Sequence, residues 1–388
     1  MKEMQRFYFD HNATTPVSPE VLETMVSCLG QVYGNASSIH HFGQRAKQRL
    51  ERARRQTAAL IGCHPREVVF LSGGTEADNL ALFGIVRRAA GSSPHIITTA
   101  VEHPAVLGAC AQLAREGAAV TYVPVDSDGL VDPGDIRRAL RPETVLVSVM
   151  HANNELGTVQ PIAEIAAIAR EAGVYLHADG VQALGKIPVD VEGLGVDLYS
   201  MSGHKIYGPK GVGALYVRQG TRLGAIQFGG HHERDRRPGT ENVPGAVAFG
   251  CAAELAGVHL KTSAPLIAAL RDRLESALLE RIPHTGVNGS RAARTPNTTN
   301  MHFDYLEGEA LVIALDLRGF AVSSGAACSS GAVEPSHVLT AIGLAADRAR
   351  ASIRFSLGRD TTAEQVDALI EAVEASVKHL RKLSPVAA

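Results

Sequence analysis

The chain reads as an α/β protein with a mostly parallel seven-stranded sheet in a large domain and a smaller α+β domain beside it. Two observations predict this. Apolar, β-rich runs recur at 68–71, 96–100, 119–123, 144–150, 174–178, 196–199 and 212–217, and helical patterns such as 104–117 and 161–173 lie between several of them. Strands separated by helix-length crossovers pair in parallel and are covered by helices on both faces. Beyond residue 217 the alternation stops. A small-residue helix is predicted at 244–256, an amphipathic helix near 264–281, strands near 298–303 and 352–357, and a closing helix from 362 to about 382. The expected boundaries are 15–257 for the large domain, with 1–14 and 258–388 forming the smaller one.

Composition narrows the function classes. The 388 residues can bury a core for more than one lobe. Lys and Arg number 38 against 40 Asp and Glu, so neither nucleic acid nor a membrane surface is expected as main partner. The amino terminus lacks the apolar stretch of a signal peptide, and no apolar run approaches membrane-spanning length, which leaves the cytoplasm as the expected compartment. The five cysteines (Cys28, Cys63, Cys110, Cys251, Cys328) are scattered and have no Cys-x-x-Cys spacing. That pattern argues against a disulfide framework or a structural metal site, and no metal is expected. Four of them read as small hydrophobes in helical surroundings.

The first element with chemistry is Val68-Val-Phe-Leu-Ser-Gly-Gly-Thr-Glu-Ala-Asp-Asn-Leu80. A strand runs into Gly73 and Gly74, then a Thr75/Asp78 capping pair is expected to open a helix reaching about Ala90. Such a helix start offers free N–H groups and the positive end of the helix dipole to a phosphate. An ordinary glycine-containing strand-to-helix turn has the same appearance.

The second is Val174-Tyr-Leu-His-Ala-Asp-Gly-Val-Gln182, a strand ending in Asp179. The carboxyl ends of strands are where open α/β sheets bind ligands. The third is Tyr199-Ser-Met-Ser-Gly-His-Lys-Ile-Tyr-Gly-Pro-Lys-Gly-Val-Gly213, which puts Lys205 in a tight turn between two apolar strands. Desolvation at such a turn lowers an amine's pKa and makes it nucleophilic. Taken singly, Asp179 serves equally as a cap and Lys205 as a solvated turn lysine. Together they suit pyridoxal 5'-phosphate (PLP), which needs a lysine for its Schiff base and an anion under its pyridine nitrogen.

The fourth is Ala321-Val-Ser-Ser-Gly-Ala-Ala-Cys-Ser-Ser-Gly-Ala-Val-Glu-Pro335, a strand end followed by small residues that cannot pack a core. A mobile loop is expected, ending before a helix at 336–342. Cys328 on it is either a passive surface thiol or one carried to a neighbouring site and back. The last is Arg354 in Ile353-Arg-Phe-Ser-Leu-Gly358, a lone arginine in a strand that suits either a substrate carboxylate or a structural ion pair.

Over nearly its whole length the chain resembles the cysteine desulfurases of the NifS/IscS type, group I, within the class-V aminotransferase family of PLP enzymes. The segments that carry the resemblance are Phe9-Asp-His-Asn-Ala-Thr-Thr15, Tyr33-Gly-Asn-Ala-Ser-Ser-Ile-His40, Ser-Gly-His-Lys at 202–205, Arg-x-Gly-Thr-Glu-Asn at 237–242 and Ser-Ser-Gly-x-Ala-Cys at 323–328. The resemblance implies the fold-type-I architecture of PLP-dependent transferases. It implies that Lys205 holds PLP and moves protons, that Asp179 pairs with the pyridine nitrogen and Gln182 with the ring hydroxyl, and that His103 stacks on the ring and assists acid–base steps. Gly74, Thr75, Ser202 and His204 would hold the phosphate, with Thr240 reaching in from the other subunit of a homodimer. Asn12, Ala13, Thr14, Asn154 and Arg354 would bind the substrate L-cysteine, and Cys328 would accept its sulfur as a persulfide, leaving L-alanine. The sulfur would pass to an acceptor or scaffold protein for iron–sulfur cluster or thio-cofactor synthesis.

Three positions depart from the family pattern: Ala326 where serine is common, Ser329 where threonine is common, and Gly180 where alanine is commoner. All three read as small-for-small changes. Two other functions stay open at this level, a PLP-dependent lyase acting on selenocysteine or a cysteine derivative, and a non-catalytic PLP-fold scaffold in a sulfur-transfer complex.

Overall fold

The computed structural model describes residues 5–89, 93–324 and 335–383. Its strands are β1 (Phe7–Tyr8), β2 (Val68–Leu71), β3 (His95–Thr99), β4 (Ala119–Val123), β5 (Thr144–Ser148), β6 (Tyr175–Asp179), β7 (Leu198–Ser202), β8 (Gly213–Val217), β9 (Thr285–Asn288), β10 (Thr298–Phe303), β11 (Phe320–Ala321), β12 (Ser323–Ser324) and β13 (Ser352–Ser356). The helices are α1 (Pro19–Gln31), α2 (His41–Ile61), α3 (Gly74–Val86), α4 (Pro104–Arg115), α5 (Pro133–Ala139), α6 (Ile162–Glu171), α7 (Val191–Leu194), α8 (Val243–Arg281), α9 (Gly308–Asp316), α10 (His337–Ala341), α11 (Ala346–Arg350) and α12 (Ala363–Leu383).

All seven β-rich runs become strands of one sheet, ordered β2-β8-β7-β6-β5-β3-β4. The pairs β3–β4, β3–β5, β5–β6 and β6–β7 are parallel, as helix-length crossovers require. Only β8 runs the other way, antiparallel to both β7 and β2. The cause is local. Between β7 and β8 the chain has room for a short turn opened by the 3-10 segment Gly203–Lys205, too little for a crossover helix. This reversal puts Lys205 at the sheet's carboxyl edge. Strands β6, β7 and β8 are buried almost throughout, between a core that includes α2 and the start of α8 and another built around α3 and α4.

A second layer has the antiparallel sheet β12-β13-β10-β9, with β1 paired to β11 beside it. Its core joins Phe9, Met301, Phe303, Ile353 and Phe355 to α9, α12 and the end of α8. The predicted strands near 298–303 and 352–357 are β10 and β13. The strand end read at Ala321-Val-Ser-Ser is two short strands, β11 and β12, on different partners; two residues carry no periodicity that could have separated them. The N-terminal segment belongs with this layer, through β1 and an Asp10–Ser356 bridge.

The two helices predicted at 244–256 and 264–281 are one helix of 39 residues, α8, running through Pro265. Proline lacks the N–H that this position would donate and usually ends a helix. Here both ends are anchored: 243–253 packs into the large core, while Leu274 and Leu278 pack into the second. Contrary to the expectation from apolar runs, α8 is long and apolar enough by length and composition to cross a membrane. Its apolar residues instead fill the two cores, where it packs on α1, α2 and α12.

Gly180 is not a small-for-small position in this chain. It directly follows Asp179 on β6, and a Cβ there would lie 1.9 Å from a ring carbon of Tyr199, a fully buried side chain on β7. The Tyr199 ring occupies that space because its hydroxyl is bonded to His151 Nδ1 at 2.8 Å. Overpacking of this kind costs about 1–3 kcal/mol. Gly180→Ala should therefore lower the urea midpoint of the apoprotein by a corresponding amount, and Tyr199→Leu in the same chain should restore part of it. An unchanged midpoint in Gly180→Ala would mean that the ring yields without cost.

Candidate active site

The carboxyl ends of β6 and β7, the start of α3 and the N-terminal turn enclose a cavity of about 410 Å³. Its lining brings together Asn12, Ala13, Gly74, Thr75, His103, Asn154, Asp179, Gln182, Ser202, His204, Lys205 and Arg354, all of them expected from sequence. A second, more open cavity of about 520 Å³ continues from it past Gly73, Gly74 and Thr75 and includes Thr14. Thr240 lies elsewhere, exposed on the loop before α8. Cys328 lies outside the described residues, but both ends of its segment are placed. Ser323 and Ser324 pair with Arg354 and Ile353, and Ser336 Oγ donates to Glu155 Oε2 at 2.6 Å.

Lys205 Nζ donates to the carbonyl oxygens of Asn12 (2.6 Å) and Ala13 (2.7 Å). Burial and the nearby Arg354 guanidinium push its pKa down to about 8, while Asp179 and Asp10 pull the other way. This is the half-desolvated turn amine that the sequence suggested. Asp179 is buried at the cavity floor, where its Oδ1 accepts from Val181 N–H at 2.9 Å. Burial raises its carboxyl pKa, opposed by His103 and Lys205. Behind it are two more buried acids. Asp78 is pushed well up by burial and by Asp179, and Glu102 is pushed up to about 8 chiefly by burial. Low dielectric favours the neutral form of all three; it is opposed by His103 and Lys205 at Asp179, by a hydrogen bond from Ser200 at Asp78, and by hydrogen bonds from Met150 N–H and Thr99 at Glu102.

His103 is the N-cap of α4, where its Nδ1 accepts from Ala105 N–H at 3.1 Å. A ring nitrogen that accepts a backbone N–H carries no proton, so the neutral imidazole holds its hydrogen on Nε2. Desolvation lowers the ring's pKa; Asp179 opposes this and Lys205 adds to it.

The start of α3 differs from the expected Thr75/Asp78 cap. Its N-cap is Gly73, with no side-chain cap bond, and Glu76 Oε2 instead reaches back to Ser72 N–H at 2.5 Å. Asp78 points into the core, which explains why it cannot cap. The first-turn N–H groups therefore face the open cavity, together with a buried Ser202 Oγ that has no hydrogen-bond partner among the described residues. Gly74 has no room for a side chain, since a Cβ would lie 2.7 Å from Val181 Cγ2. His204 Nδ1 bonds to Thr14 Oγ1 at 3.1 Å, and its pKa is pushed down to about 4 by burial and the neighbouring lysines.

Arg354 pairs with Asp10 (2.6 Å) and donates to the Asn154 carbonyl (3.0 Å), while its buried Nε has no partner among the described residues. The arginine is thus in an ion pair and also lines the cavity. Asn12 is more occupied than expected. Its Nδ2 donates to Asn154 O and Thr298 Oγ1, and its Oδ1 accepts from Lys186 and Asn297. Sequence reasoning missed Asp10, Asp78 and Lys186. A lone strand arginine demands a carboxylate, and that demand was the one signal that could have pointed to Asp10.

These residues fit PLP. An orphaned hydroxyl and bare helix N–H groups suit a phosphate, a buried carboxylate stands at the floor, and a depressed lysine lies within the same cavity.

The aminotransferase class-V family model matches residues 7–369. A cysteine desulfurase IscS of Dictyoglomus turgidum is 47% identical over 97% of this chain and 96% of its own length. A cysteine desulfurase of Nostoc sp. is 50% identical over 98% of this chain and 95% of its own. Among solved structures, a NifS-like protein superimposes with a TM-score of 0.91 at 37% identity, covering 97% of this chain and all of the other. The structure described as SspA in complex with cysteine gives 0.82 at 36% identity, over 92% and 99% of the two chains.

The depressed Lys205 pKa can be measured directly. In the apoprotein, acylation of Lys205 followed by peptide mass analysis should be half-maximal near pH 8, against about 10.4 for a solvated lysine. Asp179→Asn should move that midpoint lower, because the carboxylate holds it up; an upward move would contradict the electrostatic picture.

Proposed function

The chain belongs to the aminotransferase class-V family and is a cysteine desulfurase of the NifS/IscS type, and on that premise we propose how its own residues carry the reaction. The observation that supports the assignment best is the convergence of Lys205, Asp179, His103 and Arg354 on one cavity. L-cysteine is the substrate, and its sulfur leaves while the carbon skeleton becomes L-alanine. Neither the lyase nor the scaffold reading is favoured by these relatives.

PLP would be held by Lys205, by Asp179 beneath the pyridine nitrogen, by Gln182 at the ring hydroxyl, and by Gly74, Thr75, Ser202 and His204 around the phosphate. When bound, it would supply an electron sink for a carbanion at the substrate's α-carbon. Arg354 and Asn154 would bind the substrate carboxylate. In this reading the Asn12 amide acts through neighbours, since its four side-chain bonds are already made within the protein. Ala13 and Thr14 would shape the entrance with their backbone. Lys205, whose amine burial pushes down to about 8, would move the α-proton. His103, with its hydrogen on Nε2, would act as a donor to developing negative charge on the substrate.

Cys328 would supply the thiolate that attacks the substrate sulfur. A bond forms between the two sulfurs while the Cβ–S bond breaks, and its electron pair stays with carbon. Protonation of that carbon gives alanine, and the enzyme retains a persulfide on Cys328. Thiol exchange would then hand the sulfur to an acceptor or iron–sulfur scaffold protein. The two layers would serve as the domains 15–257 and 1–14 with 258–388, Cys328 being carried on the second, and the cytoplasm would be the place of action.

A homodimer would complete the site. Leu22, Val26 and Leu29 form an exposed apolar stripe on α1, and Tyr33, Ile39, Phe42 and Phe228 are exposed as well. Arg237 pairs with Glu76 at 3.2 Å, and Thr240 lies three residues on, exposed and free to reach a partner's phosphate site. Thr240→Val should weaken PLP retention without unfolding the chain. A monomer that is fully active by light scattering at assay concentration would refute the shared site.

The acceptor role is tested by Cys328→Ser. This variant should keep the PLP spectrum and still bind L-cysteine, while alanine formation falls about 1000-fold or more, or roughly 4 kcal/mol of barrier. Wild type should show a +32 Da adduct on the Cys328 peptide (about one sulfur) that the variant lacks. Full alanine turnover in Cys328→Ser would remove the persulfide step.

A further inference from the structure

Lys186 is a second buried-side lysine at the site, in the turn that follows β6 and four residues after Gln182. Its Nζ bonds to Gln182 Oε1 and, at 2.9 Å, to Asn12 Oδ1. On the other side of the same amide, Gln182 Nε2 donates to the Asn12 carbonyl at 2.9 Å, the oxygen that also holds Lys205 Nζ. We propose that Lys186 is a positioning residue for the cofactor site, fixing which end of the Gln182 amide is offered to the cavity. The proposal rests on the reading that Gln182 faces the ring hydroxyl of PLP.

The argument is one of donor and acceptor types. A side-chain amide has a carbonyl at one end and an NH2 at the other, nearly equal in shape, so only its partners decide which way it points. Toward these two oxygens a lysine can only donate. It therefore holds Oε1 toward itself and turns Nε2 toward Asn12 and the cavity. Nε2 has two hydrogens and one is bonded to Asn12 O, so the second is left for the ring oxygen of the cofactor. With the amide reversed, a carbonyl would face that oxygen, acceptor against acceptor.

The surroundings support this assignment. Burial, together with Lys205 and Arg354, pushes the Lys186 amine well below its ordinary range. Two amide oxygens face this amine and accept from it. The second oxygen, Asn12 Oδ1, also accepts from Asn297 Nδ2 at 3.0 Å, which leaves Asn12 Nδ2 to donate to Asn154 O and Thr298 Oγ1. One amine thus sets the polarity of two amides, and the second belongs to the residue whose carbonyl holds Lys205.

The test is a double-mutant cycle on PLP affinity, by equilibrium dialysis of the apoprotein against PLP, with melting of each apo form as the check on folding. Lys186→Met should weaken PLP binding about tenfold, the size expected for one hydrogen bond exchanged for a repulsive contact. It should also shift the visible absorption maximum of the holoenzyme. Lys186→Gln, which can accept as well as donate and so removes only the polarity constraint, should do the same even if Lys186→Met does not fold. Neither change should weaken binding further in a Gln182→Leu background. Wild-type affinity in both Lys186 variants, or a loss undiminished in the Gln182→Leu background, overturns the proposal. If Gln182→Leu alone leaves affinity and spectrum unchanged, the assignment of Gln182 to the ring fails, and the proposal with it.

Discussion

The carbonyl of Asn12 is the contact on which the site depends. It accepts from Lys205 Nζ and from Gln182 Nε2, while the side chain of the same residue ties down Asn154, Thr298, Asn297 and Lys186. Asn12 itself is held by Ser356 Oγ, which accepts from its backbone N–H at 3.0 Å. The turn that carries it passes from the second layer to the carboxyl ends of the large sheet. A buried amine without acceptors would cost several kcal/mol, so the peptide oxygens of Asn12 and Ala13 are what allow Lys205 to sit half-desolvated with its pKa lowered.

The charges around this turn sort by access to partners. Burial raises Asp78 and Glu102, and His177, 3.6 Å from Asp78, is itself pushed down to about 3 by burial. His151 and His177 are buried among hydroxyls and are pushed down to about 4 and about 3. Arg354 is paired with Asp10. What remains is Asp179, His103 and Lys205, each shifted chiefly by desolvation; Asp179 partly restores the other two and is partly restored by them, while Lys205 pushes His103 further down. Pulling the pKa values of neighbouring acids and bases toward one another in this way suits a site that must exchange protons near neutral pH.

Structural strain is concentrated at a different place, the segment that leads to Thr240. Glu233, Arg234 and Asp235 all have positive φ, a conformation that costs non-glycine residues about 1 kcal/mol or more each. It is held by Glu233, whose carboxylate takes both Arg54 Nη atoms (2.8 and 2.7 Å) and Phe70 N–H (3.1 Å) in a buried position. The ion pair fixes the path of the chain toward Arg237, which in turn meets Glu76 in the first turn of α3.

By itself the sequence determined the sheet and the residues that line its carboxyl edge. Continuous apolar runs are what doubly covered parallel strands require, and all seven runs became strands of one sheet. Lys205 and Asp179 were legible because each stands at the end of such a run, and the start of α3 because two glycines stand between a strand and a helical pattern; that Val181 is what leaves Gly74 no room for a side chain came only with the tertiary structure. Other features were decided by tertiary structure alone, because they depend on contacts between residues far apart in the chain. The unbroken α8 depends on two separate cores gripping its ends across Pro265. Asp78 is a buried floor acid and no cap because α3 turns it inward. Gly180 is required by a tyrosine nineteen residues away on the next strand, and Lys186 matters through a hydrogen bond to an amide whose own partner is Asn12. Periodicity and local spacing report burial and turns; they carry no information on which donor will meet which acceptor once the strands are side by side.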